Sequence, residues 1–200
     1  MSRELDQTRA SLLARLAKDV DKDAWLEFWE RYAELIHSFA RQRQLQASDC
    51  DDVVQTVLMA LLRAMPNFSY DPARGRFRGY LKTITLRAIY RKTRQNSDTS
   101  ALEDVEHLPE ETAALSEDPE VDALWESQWR QHHVRRAMRV IEQEFNEKDR
   151  AAFNQYVVAG LDPSATAEAL GLSVDQVYQA KSRILKRLST VIKQQQIEEG

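Results

Sequence analysis

Cysteine is nearly absent. Cys50 is the single one in 200 residues, which excludes an intramolecular disulfide, and no C-x-x-C pair or ligand-spaced Cys/His cluster accompanies it. A reducing, cytoplasmic setting is the expectation. Glycine and proline number only five each, too few for collagen, for a sandwich rich in turns or for wholesale disorder. No stretch reaches the roughly 20 apolar residues that a spanning helix needs, and Met1 to Ala10 lacks an apolar signal core. Neither export nor membrane insertion is therefore expected. There is no Walker-type glycine loop, no H-E-x-x-H and no G-x-S-x-G. His37, His107, His132 and His133 lack metal-ligand spacing, and helix capping accounts for Asp49, Asp51 and Asp52. An enzyme, a resident metal and a cofactor are not expected. What is present is 42% hydrophobic and 30% charged residues, the balance of a helix-rich globular chain.

The net charge of −4 hides a strong segregation. From Pro72 to Gln95 there are eight Lys or Arg residues and no acid, whereas from Gln95 to Trp129 acids occur without a single Lys or Arg. A second basic, acid-free run extends from Gln176 to Gln196. Two basic blocks on either side of an acidic spacer suggest two phosphate-contacting surfaces, because each neutralised phosphate releases counterions. Two ordinary solvated helix faces are the alternative.

The apolar period predicts an all-α chain of two small helical domains. A short helix over Thr8–Lys18 precedes one over Asp23–Arg43, whose Trp25, Phe28, Tyr32, Leu35, Ile36 and Phe39 recur at three- and four-residue steps. Ser48 and Asp49 offer N-cap oxygens to a helix carrying the stripe Val54, Val57, Leu58, Leu61 and Met65, which Pro66 ends. Asn67 to Arg76 reads as a loop, and Phe77 to Arg94 resumes the helical period through Phe77, Leu81, Ile84 and Ala88. Residues 1–94 thus form a first domain, 95–119 an acidic flexible linker, and 120–200 a second domain. Within the second, Trp125–Phe145 and Arg150–Val158 are helical. Ser164 to Leu170, a turn at Gly171 and a long helix capped by Ser173 then have the pattern of a helix-turn-helix.

The second helix of that unit must bury one stripe while offering polar side chains to the major groove. Val174, Val177, Ile184, Leu185 and Leu188 supply the stripe; Gln176, Gln179, Ser182, Arg183, Lys186 and Arg187 supply the polar side, where Gln suits adenine and Arg suits guanine or phosphate. An unspecialised three-helix bundle is the competing reading. The first basic block interleaves aromatics with cations: Phe68, Tyr70, Arg74, Arg76, Phe77, Arg78, Tyr80 and Lys82, with Arg87 and Arg91 following. That mixture suits single-stranded DNA, whose bases stack on aromatic faces while cations follow the phosphates, although Phe77 itself fits the core better. Asp52, Gln55, Thr56, Met59 and Arg63 share an exposed helix face, either a partner-binding spot or merely solvated.

In this order the segments resemble the extracytoplasmic-function (ECF) sigma factors, small bacterial sigma subunits of RNA polymerase with regions 2 and 4 only. Asp52-Val-Val-Gln-Thr-Val-Leu58 is similar to the D-[LV]-x-Q-E-x-F segment of region 2. Leu62-Arg-Ala-Met-Pro-Asn-Phe68 and Gly75-Arg-Phe-Arg-Gly-Tyr-Leu-Lys-Thr-Ile84 resemble its R-A-L-x-x-F and F-R-x-W-L-x-x-I stretch, and Ala167 to Val177 resembles the region 4 helix-turn-helix. The resemblance implies a dissociable subunit that docks on core RNA polymerase through Asp52, Gln55, Thr56, Met59 and Arg63. It implies reading and melting of the minus-10 element of promoter DNA through Phe68, Arg74, Arg76, Arg78, Tyr80, Lys82, Arg87 and Arg91. The minus-35 duplex falls to Gln176, Gln179, Ser182, Arg183, Lys186 and Arg187.

Three departures bear on this. Thr56 stands where relatives usually carry Glu, so an anion is missing at the polymerase contact; phosphorylation would restore it, which makes a kinase acting on Thr56, beside an anti-sigma factor, a conditional partner. Arg87 stands where the family often has Asn and Tyr80 where it has Trp, so the minus-10 sequence is not the family's by default. Tyr178 and Gln179 replace the common Lys-Ser of the recognition helix. A helix-turn-helix regulator acting without polymerase is the alternative function, and it would need a dimerisation or effector domain that the first domain does not resemble.

Overall fold

A computed structural model describes residues 12–17, 21–65, 77–96 and 118–199. Among them the regular structure is all helical: Lys22–Gln42 (α1), Ala47–Ala64 (α2), Phe77–Asn96 (α3), Pro119–Glu144 (α4), Glu147–Phe153 (α5), Pro163–Leu170 (α6) and Val174–Glu199 (α7), with a π-helical turn over Asn154–Val158 after α5. They form two compact units, divided within α4 after His132. No described helix is long and apolar enough to cross a membrane.

In the first unit α1 begins where the Asp21 carboxylate accepts the Ala24 amide at 2.9 Å, while Arg15 from a short helical stretch over 12–16 clamps Asp21 and Glu27. The stripe expected from the period is the one buried: Phe28, Tyr32, Leu35, Ile36 and Phe39 are inside and Trp25 packs on their edge. Gln44, at φ 67°, is the described non-glycine residue in the left-handed region and turns the chain into α2. The expected cap of α2 is corrected here. Gln46 is the N-cap and makes no side-chain cap bond; Ser48 and Asp49 lie inside the first turn, where an acid still favours the helix dipole. Val53, Val54, Val57, Leu61 and Met65 are buried and Leu58 is half-buried. Cys50 is packed among them, and burial pushes its thiol up. In α3, Phe77, Leu81, Ile84 and Ala88 are all buried. Phe77 packs edge-on to Phe28 at 6.0 Å between ring centroids, which makes it a core residue.

The largest difference from expectation concerns α4. It starts at Pro119 rather than near Trp125, and its first half belongs to the first unit: Val121, Trp125 and Trp129 are buried in the core built by α1, α2 and α3. Trp125 meets the Phe39 ring edge-on at 4.9 Å, and Trp129 stacks on Tyr32 at 6.2 Å. These positions recur every four residues, so one stripe of α4 is apolar while Asp122 and Glu126 occupy another. The linker's residues 97–117 lie outside the described residues; Gln95 and Asn96 are the last residues of α3.

The second unit is built from the rest of α4 with α5, α6 and α7. Ala137, Ile141, Phe153, Ile184, Leu188 and Val191 make one core cluster, and Ala152, Ala167, Val177 and Ala180 make another under the helix-turn-helix. Small residues at these last four positions let α5, α6 and α7 approach closely. Asp162 caps α6 by accepting the Ser164 and Ala165 amides. Gly171 ends it at φ 63° and ψ 41° with its amide on Glu168 O, while the Leu172 amide reaches Ala167 O. A left-handed C-terminal residue of this kind is why glycine is required there. Leu185, expected in the buried stripe of α7, is instead 41% exposed. Its neighbour Ile184 already takes the inward direction, and adjacent residues lie about 100° apart on a helix.

Candidate nucleic-acid and polymerase interface

Packing of α2 on α3 buries Val53, Val57 and Leu61 and leaves the outward-facing side chains of the two helices flanking a groove of about 360 Å³. Asp52, Gln55, Thr56, Met59 and Arg63 line it from α2; Arg91, Lys92 and Gln95 line it from α3. The structure therefore brings all five residues of the exposed face onto one concave surface, as steps of three and four along a helix require. Met59 is 50% exposed at the middle of this face. At one end Lys92 donates to Asp52 Oδ2 at 2.5 Å and lies 3.2 Å from Asp49 Oδ1, and Asn96 donates to Asp49 at 2.9 Å. The Asp52 bond raises the Lys92 ammonium above its ordinary value, against a smaller effect of desolvation, and Asp49 adds to the rise.

The cations of α3 do not share one environment. Arg91 lines the groove just described. Arg78 is ion-paired to Glu126 of α4 with its guanidinium 4.9 Å from the Trp129 ring centroid, and Lys82 is ion-paired to Asp122. Arg87 is half-buried; desolvation lowers its guanidinium from the ordinary value, and its Nε has no hydrogen-bond partner among the described residues. Tyr80 is half-buried, its ring 6.3 Å from Phe77. Phe68, Arg74 and Arg76, the loop members of the set, lie outside the described residues.

On α7 the Ser173 hydroxyl accepts the Gln176 amide at 3.2 Å and the Gln176 side-chain carbonyl accepts the Ser173 amide at 2.7 Å, a reciprocal capping box. One face of the Gln176 amide is thus engaged at the cap. Gln176, Gln179, Ser182, Arg183 and Lys186 are exposed on the same helix, with Arg187 half-buried. Arg183 is held by Asp149 of α5 at 2.8 and 3.0 Å, and Arg187 by Glu144 of α4 at 2.5 and 2.6 Å. The second pair raises the Arg187 guanidinium and lowers the Glu144 carboxyl.

The acids that hold these cations went unidentified as partners in the sequence. Asp149 lies 34 residues from Arg183 and Glu144 lies 43 from Arg187, distances at which no local spacing speaks. Tyr178 is exposed and packs edge-on to Tyr156, which Lys181 overlies at 4.9 Å. A basic-aromatic cluster therefore lies on and beside α7. Among the described residues no group of three metal-ligating side chains occurs.

The first unit thus carries a groove lined by a basic helix, and the second a capped helix-turn-helix. Residues 28–99 match the family Sigma-70 region 2. The matched span contains the segments Asp52–Leu58 and Gly75–Ile84 quoted above for the ECF resemblance. A solved structure described as "Structure of CnrH in complex with the cytosolic domain of CnrY" aligns over 94% of this chain and 97% of its own at 22% identity, with a TM-score of 0.34. A search of curated proteins gives no match.

Proposed function

We propose that this chain is a sigma factor of the ECF type, working in the cytoplasm, and that it directs core RNA polymerase to promoters with its labour divided between the units. The observation that carries the proposal is the convergence of Asp52, Gln55, Thr56, Met59 and Arg63 on one groove beside the cationic helix α3. A face that is polar, half-apolar at Met59 and open to solvent suits a protein partner, and core polymerase is the partner that a region 2 implies. In this reading α3 and the loop before it take the minus-10 strand once it is unstacked, with Arg87 and Arg91 on phosphates and Tyr80 near a base. The exposed residues of α7 take the minus-35 duplex in its major groove.

An anti-sigma factor and a kinase acting on Thr56 are conditional partners. Thr56 lies in the groove among Arg63, Arg91 and Lys92, so a phosphate there would gain cationic neighbours as well as replace a missing anion. The test is reconstitution. The purified chain with core polymerase should start transcripts from a promoter selected out of random DNA, whereas a regulator working alone would bind the same duplex without polymerase and start none.

A further inference from the structure

Within the first unit, the cations Arg78 and Lys82 lie one turn apart on α3, and Glu126 and Asp122 lie one turn apart on α4. The pairing runs in reverse order, Arg78 with Glu126 and Lys82 with Asp122, so the two helices are antiparallel along this ladder. Trp129 extends it by one turn, its ring under the Arg78 guanidinium. As a result only 18% of the Arg78 side chain and 15% of the Lys82 side chain remain exposed, while Glu126 and Asp122 are about half exposed. The cations are covered and the acids are the cover. Val121, Trp125 and Trp129 hold that stretch of helix in place from its apolar side.

We propose that residues 119–132 of α4 are an autoinhibitory cover, in which Asp122 and Glu126 stand in for DNA phosphates on Arg78 and Lys82 until promoter strand displaces them. The inference rests on the reading of α3 as the minus-10 surface. Its physical basis is competition: a cation bonded to a carboxylate and covered by it neutralises no phosphate until the carboxylate leaves, and so releases none of the counterions that the nucleic acid holds. The covered pair therefore contributes little to nonspecific binding by the free chain, and the surface becomes available when the two carboxylates swing off it while Val121, Trp125 and Trp129 stay in the core.

The experiment measures binding of a fluorescent single-stranded oligonucleotide to the full-length chain. Asp122→Asn with Glu126→Gln, which keeps shape and removes charge, is expected to bind about tenfold more tightly than wild type, with a steeper fall as salt is raised. Adding Arg78→Ala and Lys82→Ala to that variant should abolish the gain. Equal or absent binding by wild type and the Asn/Gln variant overturns the cover; if Arg78→Ala/Lys82→Ala nonetheless weakens the wild type, the reading of α3 survives, and if it changes nothing in either background that reading fails too. Carboxyl NMR on the wild type supplies a measurement free of substitutions. The Asp122 and Glu126 carboxyl resonances should shift when the oligonucleotide binds, and unchanged resonances in the complex contradict displacement.

Discussion

Lys92 of α3 reaches Asp52 of α2 at 2.5 Å, tying the two helices together at the end of the groove that we assign to polymerase. An exposed pair of this kind is worth about 0–1 kcal/mol to the fold, and Lys92 keeps Asp49 at 3.2 Å if Asp52 is lost. Asp52→Ala should therefore leave the melting temperature within a few degrees of wild type. The same change, or Gln55→Ala, should weaken the complex with core polymerase by about 1–2 kcal/mol, or about five- to thirtyfold. Calorimetry and a polymerase titration on the same preparations separate the two effects, and undiminished affinity in both variants removes the docking assignment.

Arg183 is presented by Asp149, which fixes the guanidinium on the exposed side of α7. Arg183→Ala should cost holoenzyme about 1–3 kcal/mol at the minus-35 duplex if the side chain reads a base. Quantitative footprinting shows it. A loss confined to one base-pair position marks base readout, while a uniform loss across sequences marks a phosphate contact.

The Glu144–Arg187 pair gives the second unit a pH dependence whose sign follows from the lowered carboxyl. A depressed carboxylate stabilises the fold above its unfolded pKa of about 4.3, and that contribution disappears as pH falls through the still lower folded value. An NMR titration should find Glu144 below the ordinary carboxylate range in wild type and back within it in Arg187→Ala. Identical midpoints in the two proteins would show that the pair does not form in solution.

Thr56 tests the conditional partner. Thr56→Glu should bind core polymerase severalfold more tightly than wild type and Thr56→Ala should match the unmodified protein, since only the first supplies the anion. Equal affinities for all three in purified components end the idea.

Trp125 carries the main lesson about what could be read in advance. Its i, i+4 relation to Val121 and Trp129 is local, but the surface it buries against, around Phe39 and Tyr32, is far away in sequence, so from the sequence the segment reads as part of the second domain. By contrast the stripe of α1, the stripe of α3 and the turn at Gly171 were legible because each rests on local periodicity or on a backbone angle that one residue type supplies. Leu185 escaped because a helix offers one inward direction per turn and Ile184 has it. The same division holds for the candidate site: the groove face of α2 follows from its spacing, whereas the carboxylates on Arg78, Lys82, Arg183 and Arg187 come from other helices. If Trp125 is core, Trp125→Ala should destabilise the first unit by about 3–5 kcal/mol in thermal or denaturant unfolding; a change under 1 kcal/mol would place it at a loose surface contact.

The central claim is that this chain finds promoters as a subunit of polymerase and not alone. Random duplex DNA should be offered, in parallel, to the free chain and to the chain reconstituted with core polymerase, and the retained sequences compared. The account predicts that only the reconstituted enzyme enriches DNA, that the enriched sequences carry two separated conserved blocks, and that Asp52→Ala with Gln55→Ala reduces the enrichment. Enrichment of one and the same block by the free chain, unaffected by polymerase, would contradict it.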